Sequence, residues 1–150
     1  MAIEVLERDS HSEDFLALTR LLDEDLVRRY GEAQQQYNIY NRVDYLNNVV
    51  VLYTDCKPVG CGAFKPYDAI AAEIKRIFVK EEYRQQGLAQ LIVNRLEAML
   101  KEKGYTAAVL ETGRKQPEAV SFYTKMGYRI IENYPPYVGN PNSLCMRKTL

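Results

Sequence analysis

Hydrophobic and polar positions recur along this chain with two periods, and together they outline most of its elements. Residues 2–8 (A-I-E-V-L-E-R) alternate roughly in polarity and predict a first strand. Phe15, Leu18, Leu22 and Leu26 then recur every three or four residues, the apolar stripe of a helix running to about Arg29. Ser10 and Glu13 fit a capping box at its start, and Gly31 is a natural stop. Residues 48–54 (N-V-V-V-L-Y-T) and 59–65 predict two strands around the turn Asp55-Cys56-Lys57-Pro58. Gly60 and Gly62 within the second predict a bulge or a close backbone approach. Pro66-Tyr67-Asp68 breaks that strand, and residues 71–79 form the next. Leu88, Leu91, Ile92, Leu96, Met99 and Leu100 have helical spacing, with Gly104 placed to end the helix. Residues 106–111 predict a strand and 117–126 a helix with Pro117 near its first position. Residues 128–132 and 143–150 predict the last two strands. The polar, tyrosine-rich residues 32–47 read as a short second helix and a loop. The order βααβββαβαββ implies an α/β (α+β) architecture, a mixed sheet covered by helices.

At 150 residues the chain is expected to form one domain. Its 20 basic and 20 acidic residues cancel, which argues against a nucleic-acid partner. No apolar run approaches the ~20 residues of a membrane helix, so no membrane role is expected. The first residues lack the pattern of a signal peptide, and a cytoplasmic location is the expectation. Cys56, Cys61 and Cys145 lack zinc-like spacing and read as reduced, buried, small hydrophobes. His11 is the single histidine, which leaves no basis for a multi-histidine metal site and argues against a Ser-His-Asp triad. Tyr30, Tyr37, Tyr40 and Tyr45 crowd one segment.

The chemistry concentrates between Glu73 and Leu100. A strand (A-E-I-K-R-I-F-V) feeds a loop, Arg84-Gln85-Gln86-Gly87-Leu88-Ala89, that opens a helix. The first N–H groups of a helix lack internal partners and the dipole is positive there, so such a start can hold a diphosphate. The G-x-x-x-x-G-K-[ST] and G-x-G-x-x-G nucleotide motifs are absent.

This run resembles motif A of the GNAT superfamily of N-acetyltransferases, R/Q-x-x-G-x-G/A after a strand ending in valine. The stretch Ala119-Val120-Ser121-Phe122-Tyr123-Thr124-Lys125-Met126-Gly127-Tyr128 is similar to that family's A-x-x-F-Y-x-x-x-G-F/Y signature. The resemblance covers essentially the whole chain and is strongest from about residue 48 to 130. It implies a single GNAT-like domain over residues 1–150, with a mixed sheet of about seven strands flanked by about four helices. It also implies acetyl-CoA as donor and no metal. The backbone of Ile77, Phe78 and Val79 would pair with the pantetheine arm. The N–H groups of Gln85, Gln86, Gly87, Leu88 and Ala89 would cradle the diphosphate, with Arg84 at its rim. Two departures stand out: Gln85 where the family often has glycine, and Gln116 where it often has asparagine.

The same resemblance implies that Tyr123 is the general acid beside the CoA sulfur; the alternative is a tyrosine packed in the core. The Val79 N–H could polarise the thioester oxygen. Glu73 and Glu111 are rival candidates for the base that deprotonates the amine. Strand alternation is expected to put Glu73, Lys75, Ile77 and Val79 on one face. Glu73 also reads as a surface carboxylate paired with Lys75 or Arg76, and Lys75-Arg76 as a solvated or ion-paired edge. Tyr30, Tyr37 and Tyr40, with Tyr137 and Tyr134 from the last loop, would wall the acceptor pocket. The implied reaction moves an acetyl group from acetyl-CoA to a primary amine of a small molecule, amino acid or peptide, by direct attack. A non-catalytic acyl-CoA-binding module of the same fold, and a transferase of longer acyl groups, stay open. Homodimers are frequent in the family.

Overall fold

The computed structural model describes residues 2–31 and 46–150. Seven strands form one sheet in the order β1-β2-β3-β4-β5-β7-β6. They are β1 (Ile3–Arg8), β2 (Asn48–Thr54), β3 (Lys57–Pro66), β4 (Ala71–Val79), β5 (Ala107–Gly113), β6 (Arg129–Ile131) and β7 (Ser143–Thr149). Helices α1 (Glu13–Tyr30), α2 (Leu88–Glu102) and α3 (Pro117–Lys125) pack on the two faces. The expected second helix falls on residues 32–45, outside the described residues. No described helix is long and apolar enough to cross a membrane.

One face of the sheet meets α2 and α3. Val50, Leu52, Phe64, Ile74 and Leu110 close there on Ile92, Leu96 and Leu100 to make the larger core. On the other face Val49, Val51, Cys61 and Phe78 meet Phe15, Leu18 and Leu22 of α1. The apolar stripe of α1 is buried, as its spacing predicts. Its cap differs from the expected one. Ser12 Oγ accepts the Phe15 N–H at 3.3 Å, while Ser10, two residues earlier, is buried. Asp9 holds the preceding turn by accepting from the backbone of His11 and Ser12, which moves the helix start two residues on.

The β2–β3 hairpin turns on Asp55 and Cys56, both at positive φ (49° and 69°). A two-residue turn with positive φ at both positions matches the twist of the flanking strands, so β3 begins at Lys57 rather than Val59. Cys56 is therefore exposed, against the expectation that all three thiols are buried; Cys61 and Cys145 are buried.

Gly62 marks a close approach. A Cβ there would lie 2.5 Å from Ile77 Cδ1 and 2.8 Å from Ile92 Cγ2. Opposite it, the register changes. Cys61 faces Phe78 and Ala63 faces Lys75, so β4 spends three steps where β3 spends two. The extra residue is a bulge, and Arg76 within it has φ +60°.

Candidate active site

Strands β4 and β5 are parallel neighbours, but they pair only between Ala71–Glu73 and Ala107–Val109. Beyond Glu73 and Val109 they diverge and leave a gap between two strand edges. Lys80 N–H donates to Val59 O on the β3 side. Alternation along the strand then turns the Val79 backbone the other way, into the gap, where its carbonyl accepts Arg84 Nε at 2.8 Å. The N–H of a strand residue leaves on the same side as its C=O, so the Val79 N–H also faces the gap.

The chain leaves β4 through a short 3₁₀ turn, Glu81–Tyr83, and enters α2 at Leu88. Gln85 (φ +64°) and Gly87 (φ +77°) both take left-handed backbone conformations. Glycine is the natural residue for such positions, and Gln85 adopts one without it. No side chain caps α2 and its first turn holds no acidic residue, so its leading N–H groups face outward unopposed by negative charge. Arg84 ties this loop to β4 through Val79 O. Its guanidinium lies over the Phe78 ring, 5.5 Å from the centroid, and Nη2 stands 3.8 Å from Asp25.

A cavity of about 460 Å³ lies along this path, lined by Phe78, Val79, Arg84, Gly87, Ala89 and Phe122 among others. A second, of about 140 Å³, lies further into the gap between β4 and β5. Both are lined by Leu22, Ile77, Gln116, Ala119 and Tyr123, which is where they meet. Of the residues expected around a donor, Ile77, Phe78, Val79, Arg84, Gln85, Gly87, Leu88 and Ala89 line the larger cavity. Gln86 is exposed in the same loop.

The bulge corrects the expected alternation of β4. Ile74, Ile77 and Val79 all belong to the α2 side, whereas Glu73 reaches Tyr134 on the opposite side. Uninterrupted alternation would place Ile74 opposite Ile77 and Val79; one extra residue at Arg76 brings them together. Glu73 and Lys75 therefore do not share a face with Ile77 and Val79. Lys75 and Arg76, expected at a solvated or ion-paired edge, are both buried. Arg76 is ion-paired as well: Nη2 donates to Asp23 Oδ1 and to Thr19 O, each at 2.8 Å.

The two candidate carboxylates have different surroundings. Glu73 is buried rather than at the surface. Its Oε2 accepts the Tyr134 hydroxyl at 2.7 Å, and its Oε1 lies 3.7 Å from Lys65 Nζ and 3.9 Å from Lys75 Nζ. Glu111 lines the smaller cavity and accepts Ser143 Oγ at 2.8 Å. Burial pushes its carboxyl up to about 7, against the opposing pull of the Ser143 hydrogen bond and of Lys75. Tyr123 is buried against Phe122 and Tyr128, and desolvation raises its hydroxyl above the ordinary phenol range. It is both a core residue and a wall of the two cavities. Burial also pushes the Cys61 thiol up to about 12 and Cys145 up to about 11, so neither is an activated nucleophile.

Tyr30 lines the smaller cavity, and its hydroxyl accepts the Lys115 N–H at 3.3 Å. Gly113 lies under that ring and has no room for a side chain. Tyr37, Tyr40 and Tyr45 lie outside the described residues. Tyr137 packs against Tyr134 in a small cluster with Val109 and Cys145, and lines neither cavity. Gln116 begins α3, and its Oε1 accepts the Gly113 N–H at 3.3 Å, fixing the end of β5 against the helix. Two contributors escaped the sequence reading: Ser143 holds Glu111, and Asn133 Nδ2 donates to the carbonyls of Tyr137, Asn140 and Ser143. Tyr134, expected on the acceptor wall, lines neither cavity and instead holds Glu73. Ser143 and Tyr134 meet carboxylates 32 and 61 residues away, beyond the reach of any local pattern.

Splayed parallel strands, an uncapped helix start and the two sequence signatures all fall in one region. The model of the acetyltransferase (GNAT) family matches residues 15–128. The chain belongs to that family. It is 37% identical over 99 residues to an uncharacterised protein, YyaT, of Bacillus subtilis, a match covering 66% of this chain and 64% of that one. It is 28% identical over 137 residues to an uncharacterised N-acetyltransferase of Chlorobaculum tepidum, covering 86% and 85%. Among solved structures, a Klebsiella pneumoniae protein assigned to the acyl-CoA N-acyltransferases superposes with a TM-score of 0.83 at 25% identity, over 99% of this chain and 97% of that one. The PaiA N-acetyltransferase of Thermoplasma acidophilum, solved with coenzyme A, shares the fold with a TM-score of 0.77 at 19% identity and full coverage of both chains. The mixed seven-stranded sheet is thus the GNAT fold, with three α-helices among the described residues.

Proposed function

We propose that this protein transfers the acetyl group of acetyl-CoA to a primary amine by direct attack. The observation that carries the reading is the meeting of two cavities at Tyr123. One runs under the open edge of β4 to the uncapped start of α2, and the other has Glu111 on its wall. Coenzyme A in the solved PaiA complex, which shares the fold, supports the donor assignment.

In this reading the diphosphate takes the N–H groups at the start of α2, with Gln85, Gln86 and Gly87 shaping the loop. The pantetheine arm lies along the unpaired edge of Ile77, Phe78 and Val79, adding itself to the sheet as a strand would. The Val79 N–H, aimed into the gap, polarises the thioester carbonyl. Glu111, held by Ser143, takes one proton from the incoming ammonium. A carboxyl near 7 is poised to accept a proton at neutral pH. Glu73, tied up by Tyr134 and two lysines, supports the charge balance around it rather than taking the proton. The neutral amine attacks the carbonyl carbon, a C–N bond forms and the C–S bond breaks. Tyr123 gives its proton to the departing sulfur and regains one from the nitrogen, leaving CoA thiol and an N-acetyl product.

A non-catalytic CoA-binding module would have no use for a buried carboxyl titrating near neutrality beside the thioester. A thermal-shift titration tests the donor directly. Acetyl-CoA at about 100 times its Kd is expected to stabilise the protein by about 2.7 kcal/mol. Absence of any shift with acetyl-CoA or CoA would overturn the proposal.

A further inference from the structure

Resting on the acetyltransferase reading with Glu111 as its base, we infer that the loop between β6 and β7 is a positioning element of the reaction. Asn133 ties the start of that loop to its exit, and Ser143 at the exit holds the Glu111 carboxylate where it takes the acceptor's proton. The strand register makes Ser143 the donor. Directly across from Glu111 on β7 stands Cys145, and Ser143 stands across from Gly113. Glu111 and Ser143 are thus diagonal neighbours on one face of the pair, within side-chain reach. Ser143 Oγ donates to Glu111 Oε2 at 2.8 Å, and Ser143 is fully buried. That bond engages Oε2, so the proton from the ammonium goes to Oε1.

Ser143 owes its place to the loop. Residues 134–143 form a run of turns in which the Tyr137, Asn140 and Ser143 N–H groups donate back to Tyr134 O, Tyr137 O and Asn140 O. Asn133 Nδ2 donates to three carbonyls of that run, Tyr137 at 3.2 Å, Asn140 at 3.4 Å and Ser143 at 3.1 Å. The same loop supplies Tyr134, whose hydroxyl donates to Glu73 Oε2 at 2.7 Å. One loop therefore holds both candidate carboxylates of the diverging strands β4 and β5. The other charged and titratable groups around Glu111 are Lys75 and Glu73 on β4 and Cys145 on β7. Arg76, Tyr30 and Tyr123 stand on the walls of the same cavity. Burial favours the protonated carboxyl most; Ser143 and then Lys75 oppose it, and Glu73 adds to it. Ser143 acts through a hydrogen bond, which fixes the orientation of the carboxylate as well as favouring its charge.

The test follows kcat/KM against pH by thiol release, with the fastest acceptor from a panel of free amino acids, their amides, alkylamines and polyamines. The unmodified protein, Ser143→Ala, Asn133→Ala and Glu111→Gln are compared, so the acceptor's own titration cancels in their ratios. In Ser143→Ala the rising limb near 7 is expected to move up by about one pH unit or more, as for the loss of a hydrogen bond to a charged group. Rates should then fall about tenfold on the acid side of the limb and converge on those of the unmodified protein above it. Asn133→Ala keeps the hydroxyl and should move the limb the same way by less. A second measurement needs no turnover. In Ser143→Ala the fall in urea stability due to Glu111 should extend to higher pH by the same amount as the limb. If Ser143→Ala does not fold, Ser143→Cys, of similar size with a weaker donor, takes its place and should move both readouts the same way. A limb and a urea slope that stay put while Glu111→Gln is inactive overturn this inference alone. An unmoved limb in Asn133→Ala strikes the role given to the loop. A fully active Glu111→Gln, no thermal shift with acetyl-CoA, or no turnover of any amine in the panel sinks the transfer reading and this inference with it.

Discussion

The two faces of the sheet are built on different principles. The face under α2 and α3 is an apolar core in which Val50, Leu52, Ile74, Ile92 and Leu96 are nearly inaccessible. Its buried carboxylate, Glu97, sits where Tyr128 donates to it at 2.8 Å and Lys148 at 2.9 Å. The opposite face, toward α1 and the last loop, holds Glu73, Lys75 and Arg76 buried and Glu111 nearly so. Apolar packing and one fully partnered carboxylate account for the first face. The second keeps charges that a hydrophobic replacement of similar volume would often match or better in stability. Residues that a fold keeps at such a disadvantage are candidates for chemistry. A face built for stability and a face built for reaction should therefore respond differently to mutation.

The sharpest break in that comparison is Glu111→Gln. On the reactive face it is expected to lower kcat/KM by about a hundredfold or more, measured by thiol release at pH 8, while leaving the fold intact. Its effect on stability should have the opposite sign. The folded carboxyl sits near 7 and the unfolded one near 4.5, so the native state binds more protons between those values. The contribution of Glu111 to native stability is then fullest below about 4.5, falls as pH rises toward about 7, and is level above it. Urea titrations across this range should show that slope in the unmodified protein and lose it in Glu111→Gln. For activity, kcat/KM should rise through the same region near pH 7 as the base ionises.

Gly62→Ala probes the packed face. The new methyl meets Ile77, Ile92 and Leu96 at 2.5–2.9 Å, all through side-chain ends that must shift. Overpacking of that kind is expected to cost about 1–3 kcal/mol in unfolding free energy, read from the urea midpoint. A stability loss there, set beside a rate loss at Glu111, would sharpen the division. Tyr123→Phe has the smallest expected effect and lies where the faces meet. A turnover loss of about tenfold, equivalent to about 1.4 kcal/mol in barrier, with little change in acetyl-CoA binding, would place its hydroxyl in the reaction. Unchanged turnover would return Tyr123 to the packed face.

Much of the larger cavity was legible beforehand because it is local. The strand ending at Val79, the loop through Gly87 and the apolar stripe of α2 are contiguous, and the groups proposed to bind the donor there are mostly backbone ones. The hairpin, the strand order along the chain and the close approach at Gly62 were readable for the same reason. The smaller cavity was not. Alternation counted straight through Arg76 puts Glu73 and Val79 on one face, and nothing in the letters E-I-K-R-I-F-V announces the inserted residue. The two carboxylates could not be ranked from sequence either. What distinguishes them is Ser143 on one and Tyr134 with two lysines on the other, partners contributed by β7, β3, β4 and the last loop.

By itself, then, the sequence determined what short-range chemistry determines. Periodicity set the elements, a glycine at a helix start marked the loop proposed to hold a diphosphate, and two signatures joined them into the GNAT family. Tertiary structure decided where charge is buried. The divergence of β4 from β5 opens the gap, and the bulge at Arg76 turns Lys75 and Arg76 into it together. Residues far apart in sequence then bury Glu111 and raise its carboxyl toward neutrality. Desolvation depends on everything that surrounds a group, and only the folded chain supplies those surroundings.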